Sequence, residues 1–142
     1  MDVNELLMKA LDDESNNTLI NFTTKKIKEM NLNILNELNL PKKYTLEMFK
    51  KLADYKYVDE INELKYGTHI RWIPIENPEN IELKKGAVFC EIKIKDEGVY
   101  CVCKNYGFKT RYFQLSFDKN LIFQKLTEQE QVLLSALDHL SK

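Results

Sequence analysis

Along the first 65 residues apolar side chains recur at three- and four-residue steps, and beyond Gly67 the period shortens toward two. Asp2 followed by Glu5 has the form of a capping box and predicts a short helix carrying Leu6, Leu7, Ala10 and Leu11, which the polar run 12–17 ends. Between Thr18 and Leu38, the positions of Ile27, Met30, Ile34, Leu35 and Leu38 draw one apolar stripe on a long helix that Pro41 closes. Thr45 is placed to cap a third helix, with Glu47 in its first turn and Leu46, Phe49, Leu52 and Ala53 inward. A shorter fourth helix is expected around Val58, Ile61 and Leu64.

The second half reads as strands. Val88, Cys90, Ile92 and Ile94 alternate with Phe89, Glu91, Lys93 and Lys95, the pattern of a half-buried strand, and similar runs cover 68–75, 99–104, 111–117 and 120–126. Tight loops separate them at Asn77-Pro78, Asp96-Glu97-Gly98, Asn105-Tyr106-Gly107 and Asp118-Lys119. Five short strands so connected predict a small, strongly bent barrel of the SH3-like kind, with a plain antiparallel sheet covered by helices as the alternative. Thr127 and Glu130 form a second capping box, opening a last helix with Val132, Leu133, Ala136, Leu137 and Leu140 inward. The expectation is therefore an α+β protein: an N-terminal helical segment (1–65) packed on a five-stranded SH3-like β-barrel (66–127), and a C-terminal capping helix (128–142).

Composition narrows the chemistry. The chain has 142 residues with 21 Lys+Arg against 22 Asp+Glu, a net charge of -1, so no whole-molecule field draws it onto a polyanion. Charge is uneven by region: residues 66–127 hold 10 basic and 7 acidic residues, and residues 1–65 hold 10 and 12. Any basic face belongs to the strand-rich half. No apolar run approaches the roughly 20 residues that cross a bilayer, and the acidic start lacks a basic leader, which predicts a soluble intracellular protein without membrane contact. Three Cys with 44% hydrophobic residues predict reduced thiols in a core that needs no staples. Lys outnumbers Arg 19 to 2 and Asn occurs 13 times, a usage that reports an AT-rich genome.

Cys90, Cys101, Cys103 and His69 are the residues with metal-ligand chemistry, but Cys101 and Cys103 stand one residue apart in an extended run instead of bracketing a tight turn. Buried thiols, no metal and no cofactor are expected. Their facing depends on the 88–104 hairpin. A loop closed by Ile94 and Val99 puts Ile92 opposite Cys101 and Cys90 opposite Cys103, all inward; pairing Lys95 with Val99 turns the cysteines outward, and hiding three thiols favours the first. His139 beside Asp138 diverges from it by about 100° on a helix, and no Gly-x-Ser-x-Gly elbow or phosphate loop occurs. The reading is non-enzymatic.

Residues 104–112 combine three basic and three aromatic residues with no acid. Rings that stack on bases beside cations that neutralise phosphates make a candidate single-stranded nucleic-acid site of Lys104, Tyr106, Phe108, Lys109, Arg111 and Tyr112. The same rings, with Trp72, are the candidate anchors for a protein partner. A homodimer is left open, since amphipathic helices pack equally well on a second copy.

The segments Tyr66-Gly67-Thr68-His69-Ile70-Arg71-Trp72, Lys85-Gly86-Ala87-Val88-Phe89-Cys90-Glu91-Ile92-Lys93 and Leu121-Ile122-Phe123-Gln124-Lys125-Leu126 resemble a poorly characterised module of large nucleocytoplasmic DNA viruses. That resemblance implies a viral small-barrel protein, in host cytoplasm or virion, and assigns no functional residue. The expected function is a protein-interaction or virion-associated structural module, with single-stranded nucleic-acid binding as the alternative.

Overall fold

A computed structural model describes residues 23–140. The helix expected at 2–11 lies outside the described residues. The described residues divide into two compact units: Tyr57–Lys125 forms one, and residues 23–56 join 126–140 in the other.

The second of these is helical. Helix α1 is Thr24–Asn36, shorter than expected, because the Thr23 hydroxyl accepts from the Lys26 amide at 3.2 Å and starts it there. It buries Ile27, Asn31 and Leu35. Asn31 is a polar intruder in the apolar stripe, and its Nδ2 donates to the Tyr55 carbonyl at 2.8 Å. Helix α2, Lys42–Lys51, begins one turn earlier than expected, since the Pro41 carbonyl already accepts from the Tyr44 and Thr45 amides at 2.9 and 3.2 Å, with Pro41 as its N-cap. The inward face shifts accordingly, burying Thr45, Met48 and the closing Leu52 while Leu46 stands exposed. The last helix, α3, is Glu128–Leu140. Its capping box forms as expected: the Glu130 amide donates to the Thr127 hydroxyl at 3.1 Å and the Thr127 amide to Glu130 Oε1 at 2.9 Å. Leu133 and Leu134 pack with Ile27, and the Thr24 amide donates to Asp138 Oδ1 at 2.9 Å. Among the described residues no helix is long and apolar enough to cross a membrane.

In place of the fourth helix the chain makes a strand, β1 (Tyr55–Tyr57), and a single 3-10 turn at Ile61–Glu63. Alternating Tyr55 and Tyr57 suit a strand, and the Val58 amide donates to the Ile122 carbonyl at 2.8 Å. The remaining strands are β2 (His69–Pro74), β3 (Ala87–Lys95), β4 (Gly98–Tyr106), β5 (Thr110–Ser116) and β6 (Asn120–Lys125). They form one antiparallel sheet in the order β1-β6-β2-β3-β4-β5. The fold is thus α+β with helices toward both ends, but the five-stranded barrel is corrected to an open six-stranded sheet, with β1 and β5 at its margins.

The sheet nevertheless curls. β2 and β5 are three strand spacings apart, about 14 Å across a flat sheet, yet the Trp72 and Phe113 rings meet with centroids 5.6 Å apart. The concave face so formed encloses Val58, Ile70, Trp72, Phe89, Cys101, Cys103 and Ile122, with Ile92, Phe113 and Leu115 at its border. β2 and β6 are buried on both faces, for Ile73 and Phe123 on the convex side are also fully buried, the latter beside the Tyr57 ring.

The β3–β4 register matches the preferred expectation at the turn and departs from it further in. Ile94 pairs with Val99 and Ile92 with Cys101, around a turn of only Asp96 and Glu97. A bulge at Cys90 then sets Phe89, not Cys90, opposite Cys103. Phe89 enters the core; Cys90 is half-buried.

Gln124 is the core's main polar group. Its Oε1 accepts from the Lys65 amide at 2.7 Å, its Nε2 donates to the Glu63 carbonyl at 2.9 Å, and the Thr68 hydroxyl lies 2.8 Å away, which anchors the 60–68 connection to β6. Gly86, at φ +109°, leads into β3 so closely under β2 that a Cβ there would lie 2.5 Å from the Ile70 carbonyl and 2.4 Å from His69 Cε1. Gly67 shares a positive φ of +82° but has open space. Gly86→Ala should lower stability by more than about 2 kcal/mol and Gly67→Ala by only about 1 kcal/mol, read from urea midpoints at equal slope.

Candidate functional site

β4 and β5 form a hairpin that runs past the core. Tyr106 pairs with Thr110 at its tip, Asn105 with Arg111 and Lys104 with Tyr112, leaving Gly107, Phe108 and Lys109 as the loop. Because strand side chains alternate, Lys104, Thr110 and Tyr112 take the convex face. Asn105 and Arg111 continue the face that carries Cys101 and Cys103 deeper in the sheet. By the time the hairpin reaches Arg111 that face has left the core, and it is exposed.

Phe108 is fully exposed and Tyr112 is 67% exposed, whereas the third nearby ring, Tyr100, is half-buried beneath the Lys95 ammonium, 4.8 Å from its centroid. Lys95 Nζ also donates to Gln114 Oε1 at 2.6 Å, tying β3 across to β5 on the convex side. A shallow depression of about 460 Å³ opens at the tip, lined by Asn105, Gly107, Phe108, Lys109 and Arg111. No Asp or Glu occurs between Gly98 and Phe117. Among the described side chains, three cations and two open rings therefore share this hairpin.

Of the residues singled out from sequence, the hairpin brings together Lys104, Phe108, Lys109, Arg111 and Tyr112. Tyr106 joins them by its backbone pairing, while its side chain lies outside the described residues. Trp72 stands apart, nearly buried in the concave core against Phe113. Asn105 and Gln114 belong to the surface although sequence reasoning passed over them; the two-residue step from Tyr112 to Gln114 was an available signal, whereas Asn105 shares the face of Cys103 and gave none.

The thiols and His69 do not converge. His69 pairs with Val88 on the convex face, Cys101 and Cys103 point into the concave core, and among the described residues no group of three or more His, Cys, Asp or Glu is arranged to hold a metal. Burial, then Lys125 and Arg71, hold the His69 imidazole below its usual range. Burial pushes the Cys101 thiol up to about 11, and burial with the neighbouring thiols pushes Cys103 up to about 12. Both stay protonated at neutral pH, the opposite of an activated nucleophile. No protein-family model, curated protein or solved structure matches the chain.

An alkylating agent at pH 8 should label Cys90 in the native protein and reach Cys101 and Cys103 only after denaturant is added, as peptide mass mapping would report. Unfolding frees these two thiols to ionise near 9, so their contribution to stability is intact below that pH and is lost as pH climbs toward 11 and 12. Alkaline urea midpoints should fall less in a Cys101→Ala, Cys103→Ala double variant.

Proposed function

We propose that the protein is a non-enzymatic recognition module that engages a protein partner through the β4–β5 hairpin. The observation that carries this reading is Phe108, a large apolar ring held wholly in water at the hairpin tip beside Lys109 and Arg111. A ring so placed contributes nothing to the fold, while burial against a partner would recover about 2 kcal/mol or more. Tyr and Arg, the residue types that most often dominate interface energetics, stand next to it in Tyr112 and Arg111. The resemblance to the viral small-barrel module adds a setting to the proposal, host cytoplasm or virion.

The acid-free run from Gly98 to Phe117 favours a second reading, contact with single-stranded nucleic acid. Its scale is small. Lys104, Lys109 and Arg111 neutralise at most three phosphates, so the logarithm of affinity would fall with that of salt at a slope of only about -2. Of the two described rings, Phe108 lies at the tip and Tyr112 on the convex face.

Phe108→Ala should leave the urea midpoint within about 0.5 kcal/mol of the parent while weakening partner retention about tenfold or more, measured by affinity capture from producing cells with Arg111→Glu alongside. A partner held equally by the parent and both variants would exclude the hairpin as the contact. Binding to oligo(dT) with the salt slope above, abolished by Arg111→Glu, would move the reading to nucleic acid.

A further inference from the structure

The hairpin offers more than its tip. β5 is the last strand of the sheet, and the direction of its backbone groups follows from one bond. The Phe117 amide donates to the Val99 carbonyl at 2.9 Å, so Val99 and Phe117 are a hydrogen-bonded pair; counting back by twos, Leu115, Phe113 and Arg111 also turn their amides and carbonyls toward β4. Thr110, Tyr112, Gln114 and Ser116 turn theirs to the open side. The Ser116 carbonyl accepts from Asn120 Nδ2 at 2.8 Å, as that parity requires. The outward groups of Thr110, Tyr112 and Gln114 have no protein partner among the described residues.

Natural sheets defend such an edge with a proline, a bulge or a charge turned inward. β5 has no proline, and its pairing with β4 runs without a register shift. Arg111 is the one charged residue on the strand, and it lies outside the core. An undefended edge is a template for an added strand.

The two faces beside that edge differ in character. On the convex side Tyr112 has Lys104 opposite it, and Gln114 holds the Lys95 ammonium. One acid, Glu91, shares this face, two strands in from β5 on the far side of Val102. On the concave side Phe113 and Leu115 are half-buried and present apolar surface to whatever lies next to them. Asp96, Glu97 and Asp118 lie in the turns at the other end of the strand, which leaves the Thr110–Gln114 end electropositive.

Resting on the protein-recognition reading above, we infer that β5 receives an extended peptide as a seventh strand, in which acidic side chains on the convex side alternate with apolar ones on the concave side. Charge complementarity selects this occupant. A second copy of β5 would bring Arg111 and no acid to an edge already basic, and nucleic acid cannot satisfy alternating amides and carbonyls along a strand.

The test uses the full-length 15N-labelled protein and a blocked synthetic peptide alternating Glu and Val, with a Lys/Val peptide and oligo(dT) as controls. In the free protein the Tyr112 and Gln114 amides should exchange with solvent much faster than those of Phe113 and Leu115. The Glu/Val peptide should slow Tyr112 and Gln114 by about tenfold or more, and added salt should reverse it. Gln114→Pro removes the outward amide together with the side-chain bond to Lys95 and should abolish that protection for Tyr112, whereas Gln114→Ala removes the side-chain bond alone and should retain it. Unchanged exchange, or equal protection by the Lys/Val peptide, overturns the inference. So does protection by oligo(dT), or protection that grows with protein concentration alone, which would mark a second copy. If the edge fails but Phe108→Ala still releases the cellular partner, strand addition is wrong and hairpin recognition stands; if that partner ignores the hairpin, the broader reading falls.

Discussion

The Trp72–Phe113 contact summarises the constraint on which the sheet unit depends. A flat sheet of these strands would leave one apolar face of β4 and β5 in water, because the unit has no layer of its own to lay over it. Curling resolves this by making the sheet its own cover. The small side chains of Cys101 and Cys103 are fully buried on the concave face with Phe89, and the larger Trp72 and Phe113 rings meet across it. The bulge at Cys90 contributes in two ways: it sharpens the local twist, and it exchanges Cys90 for Phe89 at the inward position.

Polar groups that curling would strand are satisfied in place. Gln124 faces the concave side beside Ile122 and binds backbone of the 60–68 connection, so hydrogen bonds of this irregular stretch are met by a side chain. Gly86 works across β2 from Gln124, where the chain entering β3 passes too near Ile70 and His69 for any side chain. Both residues matter through contacts made by neighbours distant in sequence.

The hairpin's properties follow from its length. β4 and β5 are longer than the core they cover, so the alternation that buries Cys103 and half-buries Phe113 continues into Asn105 and Arg111 with nothing left to bury them. The same overhang presents Phe108 and leaves β5 at the margin. The curled sheet leaves two features unclosed: a tip with an exposed ring and an edge with open backbone groups.

Local chemistry determined the elements whose signals are carried by adjacent residues. The Thr127–Glu130 box, the strand alternation after Gly67, the chain reversal around Asp96-Glu97-Gly98 and the acid-free aromatic run at 104–112 were legible because caps, turns and periodicity act over a few residues. Tertiary structure decided the rest. Whether Tyr55–Val58 became helix or strand depended on the β6 backbone, Pro41 rather than Thr45 set the phase of α2, and a single extra residue at Cys90 chose which side chain faced inward. Closure into a barrel was likewise beyond sequence patterning, since alternation specifies two faces of a strand but not which strands end the sheet. That choice belongs to long-range pairing, and it is what left β5 with an open edge.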